Sequence, residues 1–282
     1  MAHGGEPLVS ASAVYHRKRG LRVSTGREIG SRSRLSWLRA QPISRGTEKE
    51  LNDLLLGAVW YVVFIFSLTF HEAAHAYFAM RGGDLTAYHS GQVSLDPTPH
   101  LRREPIGSIV VPLLSFVMAG WMIGWASTPY DPRWAYDHPK AAGRMSLAGP
   151  LANLMLVVVA MVLIRLGMLA GVFHPPDTIG FAAVVASNAG GIWLTAATLV
   201  SVMFTLNLLL FVFNLIPLPP LDGSGVLALL VSDDRARKLQ ILLSRPQFSM
   251  LGLLVAWFAV GRIFHPALRW AVNLLYPEFS YG

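Results

Sequence analysis

The stretch SLTFHEAAHAYFAM, residues 67–80, sets two histidines and a glutamate in a run that otherwise belongs inside a membrane helix. That run extends from Leu54 to Met80 with Glu72 as its one charged residue, and roughly 20 residues at helical rise cross a hydrocarbon core about 30 Å thick. Ionisable side chains at such depth are costly and mark function. His71 and His75 stand four apart, so on a helix both imidazoles leave one face, a turn apart, where two nitrogens can share a tetrahedral zinc. Glu72 is adjacent but rotated around the helix. It is placed to hold a water and take its proton rather than to complete the ligand set. A chance cluster would leave three polar groups buried without partners, which is strongly unfavourable.

Working outward, the rest of the chain has the same character. Hydrophobic residues are 53% and charged residues 14% of 282, the balance of an integral membrane protein. Residues 106–127 carry no charge, residues 145–170 only Arg165, residues 178–221 no Asp, Glu, Lys or Arg, and residues 248–264 only Arg262. The fold expected is an all-α polytopic membrane protein with four to five transmembrane helices. There is no cysteine, so a metal must be held by His, Asp or Glu.

Residues 1–50 are different material, with ten Lys or Arg against four Glu and many Ser and Gly. Such a segment has too little apolar surface to offset the entropy of ordering and is expected to be a disordered basic tail. A tail resting on anionic lipid accounts for its charge better than an organellar leader does, given Glu6 and Glu28. No short apolar core of a secretory signal follows it. Nucleic acid is not expected among the partners.

Zinc needs a third protein ligand and an open position. The long charge-free segment ends FNLIPLPPLDGSG, and Asp222 is its first ionisable side chain. Asp-Gly after Pro217, Pro219 and Pro220 is by itself a turn signal. Beside HEAAH, a carboxylate on unwound backbone at membrane depth fits a protein-lined cavity such as an active site.

Three stretches then carry a resemblance: FHEAAHA at 70–76, AGPLANLML at 148–156 and FNLIPLPPLDG at 213–223. Together they resemble the signatures of the site-2 proteases, zinc metalloproteases that cut peptide bonds within membranes, over about residues 54–230. The resemblance implies one Zn2+ per chain bound by His71, His75 and Asp222, with Glu72 as catalytic base. It places Asn153 and Asn214 where substrate backbone or oxyanion is held. Helix packing through small residues is the plainer account of Gly149, Pro150 and Asn153, and capping of freed carbonyls that of Asn214. Where compact members have GWAKPVP and Gly-Gly after the ligand Asp, this chain has GWASTPYDP (124–132) and Gly223-Ser224. The form is compact, without room for a PDZ or CBS domain.

The chemistry constrains topology. Both ligand positions lie at C-terminal ends of their helices, so those helices must run in the same direction. Residues 106–127, broken by Gly107, Pro112, Gly120 and Gly124, are therefore expected to enter and leave on one side as a re-entrant hairpin. An extra crossing within 178–215 is the other solution. Domain bounds follow as a tail over 1–50, a membrane-embedded metalloprotease core over 51–230, and a C-terminal loop and transmembrane helix over 231–282. Loops on the zinc side carry Arg81, Arg102, Arg103, Arg133, Lys140, Arg144, Arg235, Arg237, Lys238 and Arg245, whereas 171–190 carry no Lys or Arg. That asymmetry makes the zinc side cytoplasmic in a prokaryotic plasma membrane, although the basic tail then falls outside. Alternation over Gln92–Leu95 predicts a short β segment whose edge could pair with an unwound substrate. His89 and His100 read as solvated loop residues.

The function implied is hydrolysis within transmembrane segments of membrane-protein substrates, as in regulated intramembrane proteolysis. Prenyl-processing and heat-shock proteases also place HExxH near a bilayer, but use a Glu as third ligand. Only Glu104 and Glu278 follow the motif, neither in a matching helix. The reading from another class is a catalytically silent polytopic protein, or a transporter, with a metal site. Oligomeric state is not encoded legibly.

Overall fold

The computed structural model describes residues 45–279 and 281. The expected basic tail lies, up to residue 44, outside the described residues, and the first helix, α1, begins at Arg45. Short helices α2 (Thr86–His89) and α3 (Pro97–Arg103) follow, then a π turn at Ile106–Val110 leading into α4 (Val111–Ala119). Next come α5 (Pro132–Asp137), α6 (Pro139–Leu169) and α7 (Ile192–Asn214). The chain ends with α8 (Asp222–Val226), α9 (Asp233–Leu243) and α10 (Pro246–Leu275). Among the described residues, four helices are long and apolar enough to cross a membrane: α1 from Lys49, α6, α7 and α10.

The punctuation of the sequence sets these bounds. Pro97, Pro132, Pro139 and Pro246 each open a helix in its first turn, where a missing N–H costs nothing. No Gly or Pro interrupts 192–214, and α7 runs unbroken until the Pro217–Pro220 segment. Helices α1, α6 and α7 pack on one another, and α10 packs on α7. Trp60, Val63, Phe64 and Leu68 of α1 meet Val157, Ala160 and Ile164 of α6 and Val200, Phe204 and Leu208 of α7 in one core. The outward faces are apolar too, with Val62, Val158, Val162, Met250 and Phe258 exposed. A polar solvent would not tolerate so continuous an apolar exterior; lipid does.

Residues 106–128 double back. Gly120 closes α4 in the left-handed conformation (φ 76°), its N–H donating 2.8 Å to Phe116 O. The returning limb is fastened by Ile123 N to Ser115 Oγ (3.0 Å) and Trp125 N to Gly107 O (3.0 Å). The limbs approach so closely at the waist that a Cβ on Gly124 would stand 2.3 Å from Gly107 O, and one on Gly107 2.5 Å from Trp125 O. The hairpin returns the chain to the end at which α1 leaves it. Residues 178–215 contain a single helix, α7.

Two expectations are corrected. Gln92–Leu95 forms bends rather than a strand, and among the described residues only isolated bridges occur, His174 with Ala186 and Gly180 with Ala183. Local bonds take the backbone first: Gln92 N donates to Ala87 O, Asp96 N to Ser94 Oγ, and Asp96 caps α3 by accepting from Thr98 N. His100 is 1% exposed, its Nε2 bonded to Ser94 O at 3.2 Å, so it is buried under the loop it helps to fold. His89 is exposed, as expected.

Candidate metal centre

His71 and His75 project from the same face of α1, their rings edge to face with centroids 4.6 Å apart, and both are buried. His75 Nδ1 lies 2.7 Å from Met145 O of α6. A carbonyl only accepts, so Nδ1 carries the proton and Nε2 a free lone pair. His71 Nδ1 lies 2.6 Å from Asn153 Oδ1, also on α6, which leaves its Nε2 equally bare.

Asp222 arrives from the other side. After α7 ends at Asn214, residues 215–221 run as tight turns to Asp222, the first residue of α8. The platform is seated on α6: a Cβ on Gly225 would meet Ser146 Oγ at 2.2 Å. Lys140 donates to the carbonyls of Ala228 (2.9 Å), Leu229 (3.4 Å) and Val231 just beyond. Asp222 Oδ2 stands 3.1 Å from His71 Nε2 and Oδ1 stands 3.3 Å from His75 Nε2. The two Nε2 atoms are 3.0 Å apart.

These donors fit a small divalent cation. Four tetrahedral bonds of about 2.0–2.1 Å place ligand atoms about 3.3 Å from each other, close to the separations found. With both histidines protonated at Nδ1, four lone-pair atoms converge with no proton between them. Asp222 Oδ2 is buried and has no hydrogen-bond partner, the mark of an atom awaiting a cation. His71, His75 and Asp222 are the one such cluster among the described residues.

Room for an ion is made by Gly149. A Cβ there would lie 2.3 Å from His75 Nε2 and 2.6 Å from His71 Nε2, so any side chain would fill the space where the lone pairs meet. Glu72 is buried beside the pair, its Oε2 2.8 Å and its own backbone O 3.0 Å from Thr128 Oγ1 on the returning hairpin limb. The hydroxyl has one proton to share between those two acceptors.

The structure thus brings together His71, Glu72, His75 and Asp222. Asn153 joins them from behind: it is fully buried, its Oδ1 held by His71 and its Nδ2 by Asn207 Oδ1 at 2.8 Å. One acceptor position and one donor of its amide are thus engaged within the protein. Asn214 is half-buried at the C-terminus of α7. Thr128 was hidden in a segment where the sequence departs from the familiar pattern. Asn207 carried a readable signal, a lone amide within an unbroken apolar helix.

The model of peptidase family M50 matches residues 59–254. YwhC of Bacillus subtilis (strain 168), named as a zinc metalloprotease, is 36% identical over 177 residues, covering 60% of this chain and 68% of that protein. Rip2 of Mycolicibacterium smegmatis, named likewise, is 27% identical over 220 residues, 78% of this chain and 72% of its own. Rip2 of Mycobacterium tuberculosis (strain H37Rv) is 29% identical over 196 residues, 70% of this chain and 65% of its own. No solved structure matches the chain significantly.

Proposed function

The chain belongs to peptidase family M50 and is a zinc metalloprotease, and on that premise we propose that it cuts peptide bonds within transmembrane segments of membrane-protein substrates, as in regulated intramembrane proteolysis. Its cofactor is Zn2+, and His71, His75 and Asp222 are the residues we assign to hold it. The observation that carries the reading is the convergence of both Nε2 atoms and the Asp222 carboxylate within 3.0–3.3 Å, with the two histidines on a helix apolar enough to cross a bilayer.

Bound zinc supplies a Lewis acid that polarises the scissile carbonyl and acidifies water. Glu72 takes the proton from the attacking water and returns it to the leaving amine, so water and one peptide bond become a carboxylate and an amine. Thr128 holds the Glu72 carboxylate in position meanwhile. Asn153 orients His71 rather than touching substrate, while Asn214, partly exposed at the end of α7, remains available to substrate backbone. The core spans residues 51–230, with 231–282 as the C-terminal loop and helix.

The segment 106–128 supports a re-entrant hairpin, since it is apolar and returns to its entry point. The zinc end faces the cytoplasm of a prokaryotic plasma membrane on the distribution of Lys and Arg among the loops. The test is cleavage of a model transmembrane peptide by purified protein in lipid nanodiscs, with zinc content measured in parallel. Glu72→Gln should keep zinc and lose cleavage by about 100-fold or more, and Asp222→Ala should lose both. Cleavage at the native rate in either variant would refute these roles.

A further inference from the structure

The two histidines fix their protons by different devices. His75 Nδ1 meets a backbone carbonyl, Met145 O, which can only accept. His71 Nδ1 meets a side-chain amide, Asn153, whose two ends are of nearly equal shape and opposite hydrogen-bonding sense. Something beyond Asn153 must decide which end faces the imidazole.

We propose that Asn207 of α7 is that determinant, a positioning residue that orients the Asn153 amide and thereby sets the His71 tautomer that leaves Nε2 free for metal. The inference rests on reading His71, His75 and Asp222 as zinc ligands. Asn207 is fully buried in the middle of α7. One end of its amide lies 2.8 Å from Met203 O and 2.9 Å from Ser67 Oγ. Met203 O is a carbonyl, so that end is the nitrogen, and Oδ1 is left facing Asn153. Asn153 must then present its own nitrogen, at 2.8 Å, and its oxygen is turned towards His71 at 2.6 Å. An oxygen there requires a proton on Nδ1, and the Nε2 lone pair points at Asp222.

Each link forces the next, and the sequence starts from an atom that cannot change role. Reversing Asn153 would set oxygen against oxygen at Asn207 and nitrogen against Nδ1. His71 would then carry its proton on Nε2, the atom 3.0 Å from His75 Nε2, and a cation could not bind there. Ser67 lies one turn before His71 on α1, so the relay also ties α7 to the motif helix close to the site.

The experiment compares zinc affinity by chelator competition, and the visible spectrum of the Co2+-loaded protein, across four full-length proteins in detergent: wild type, Asn207→Leu, Asn153→Asp and the double variant. Asn207→Leu should weaken zinc about 10- to 100-fold and change the Co2+ spectrum. Asn153→Asp offers His71 an oxygen whichever way it turns, so in that background Asn207→Leu should add no further loss. Native affinity in Asn207→Leu, or an equal loss in both backgrounds, overturns the proposal, because mere packing would act identically in the two. Asn207→Ala repeats the comparison should leucine prevent folding. A wild type that binds no zinc overturns the ligand assignment itself, and the relay with it.

Discussion

The Thr128 hydroxyl reaches the Glu72 carboxylate at 2.8 Å from a hairpin limb that belongs to no helix. As the proposed base, Glu72 is only as well aimed as this neighbour, 56 residues away in sequence, is anchored. Hydrogen bonds to charged groups contribute about 1.5–3 kcal/mol. Thr128→Val should therefore lower kcat about 10- to 100-fold with KM and zinc content little changed, and Thr128→Ser should restore most of it. Steady-state cleavage of a transmembrane peptide measures the split. An equal fall in zinc content would show that Thr128 supports the fold and not the base.

Gly149 has no substitute. Its missing side chain is the space in which the ligand atoms meet, and a single methyl group would lie 2.3 Å from His75 Nε2. Gly149→Ala should deplete zinc in the purified protein, seen by elemental analysis, with helix content by circular dichroism unchanged because alanine favours helix more than glycine does. Retention of one zinc per chain would contradict the geometry.

The hairpin waist offers the converse separation. A Cβ on Gly124 would run into Gly107 O at 2.3 Å, forcing the limbs apart and carrying Thr128 off Glu72. Gly124→Ala should lose cleavage while still binding zinc, since none of the three ligands lies on the hairpin. Parallel zinc and cleavage assays check this, and full activity would mean that the return path does not matter to the base.

Asp84, just past α1, supports a test by pH. Burial acts to raise its pKa, but donors at Thr86 Oγ1 (2.6 Å), Thr86 N (2.9 Å) and Asp131 N (2.8 Å) outweigh it and hold the carboxyl below its ordinary value. A depressed folded-state pKa gives stability that is full above the unfolded value near about 3.9 and is lost as pH falls through the lower folded value. Asp84→Ala should therefore lower the melting temperature at neutral pH, with the gap to wild type shrinking only below about pH 4. A gap independent of pH down to the acid limit would assign the loss to packing.

Much of the site was legible because periodicity and cost are local facts. Four-residue spacing put His71 and His75 on one face, and a carboxylate ending a long uncharged run had to be explained by Asp222's surroundings. Shared helix direction called for either a turning back of residues 106–127 or an extra crossing within 178–215. What escaped depended on tertiary neighbours. Alternation at Gln92–Leu95 had no partner strand and yielded to the turn and cap bonds around it. In the loop before α7, Ser201 Oγ takes the Val184 and Val185 amides, a contact that no local pattern signals. The bond between Asn153 and Asn207 joins two helices distant in sequence and could be read from neither alone.

The enclosure of the histidines, with the Gly149 backbone pressed on one flank and the hairpin limb latched over Glu72 on the other, has a kinetic consequence. Zinc held by His71, His75 and Asp222, as proposed, should exchange with a chelator slowly, and more quickly once Thr128→Val frees that limb from Glu72.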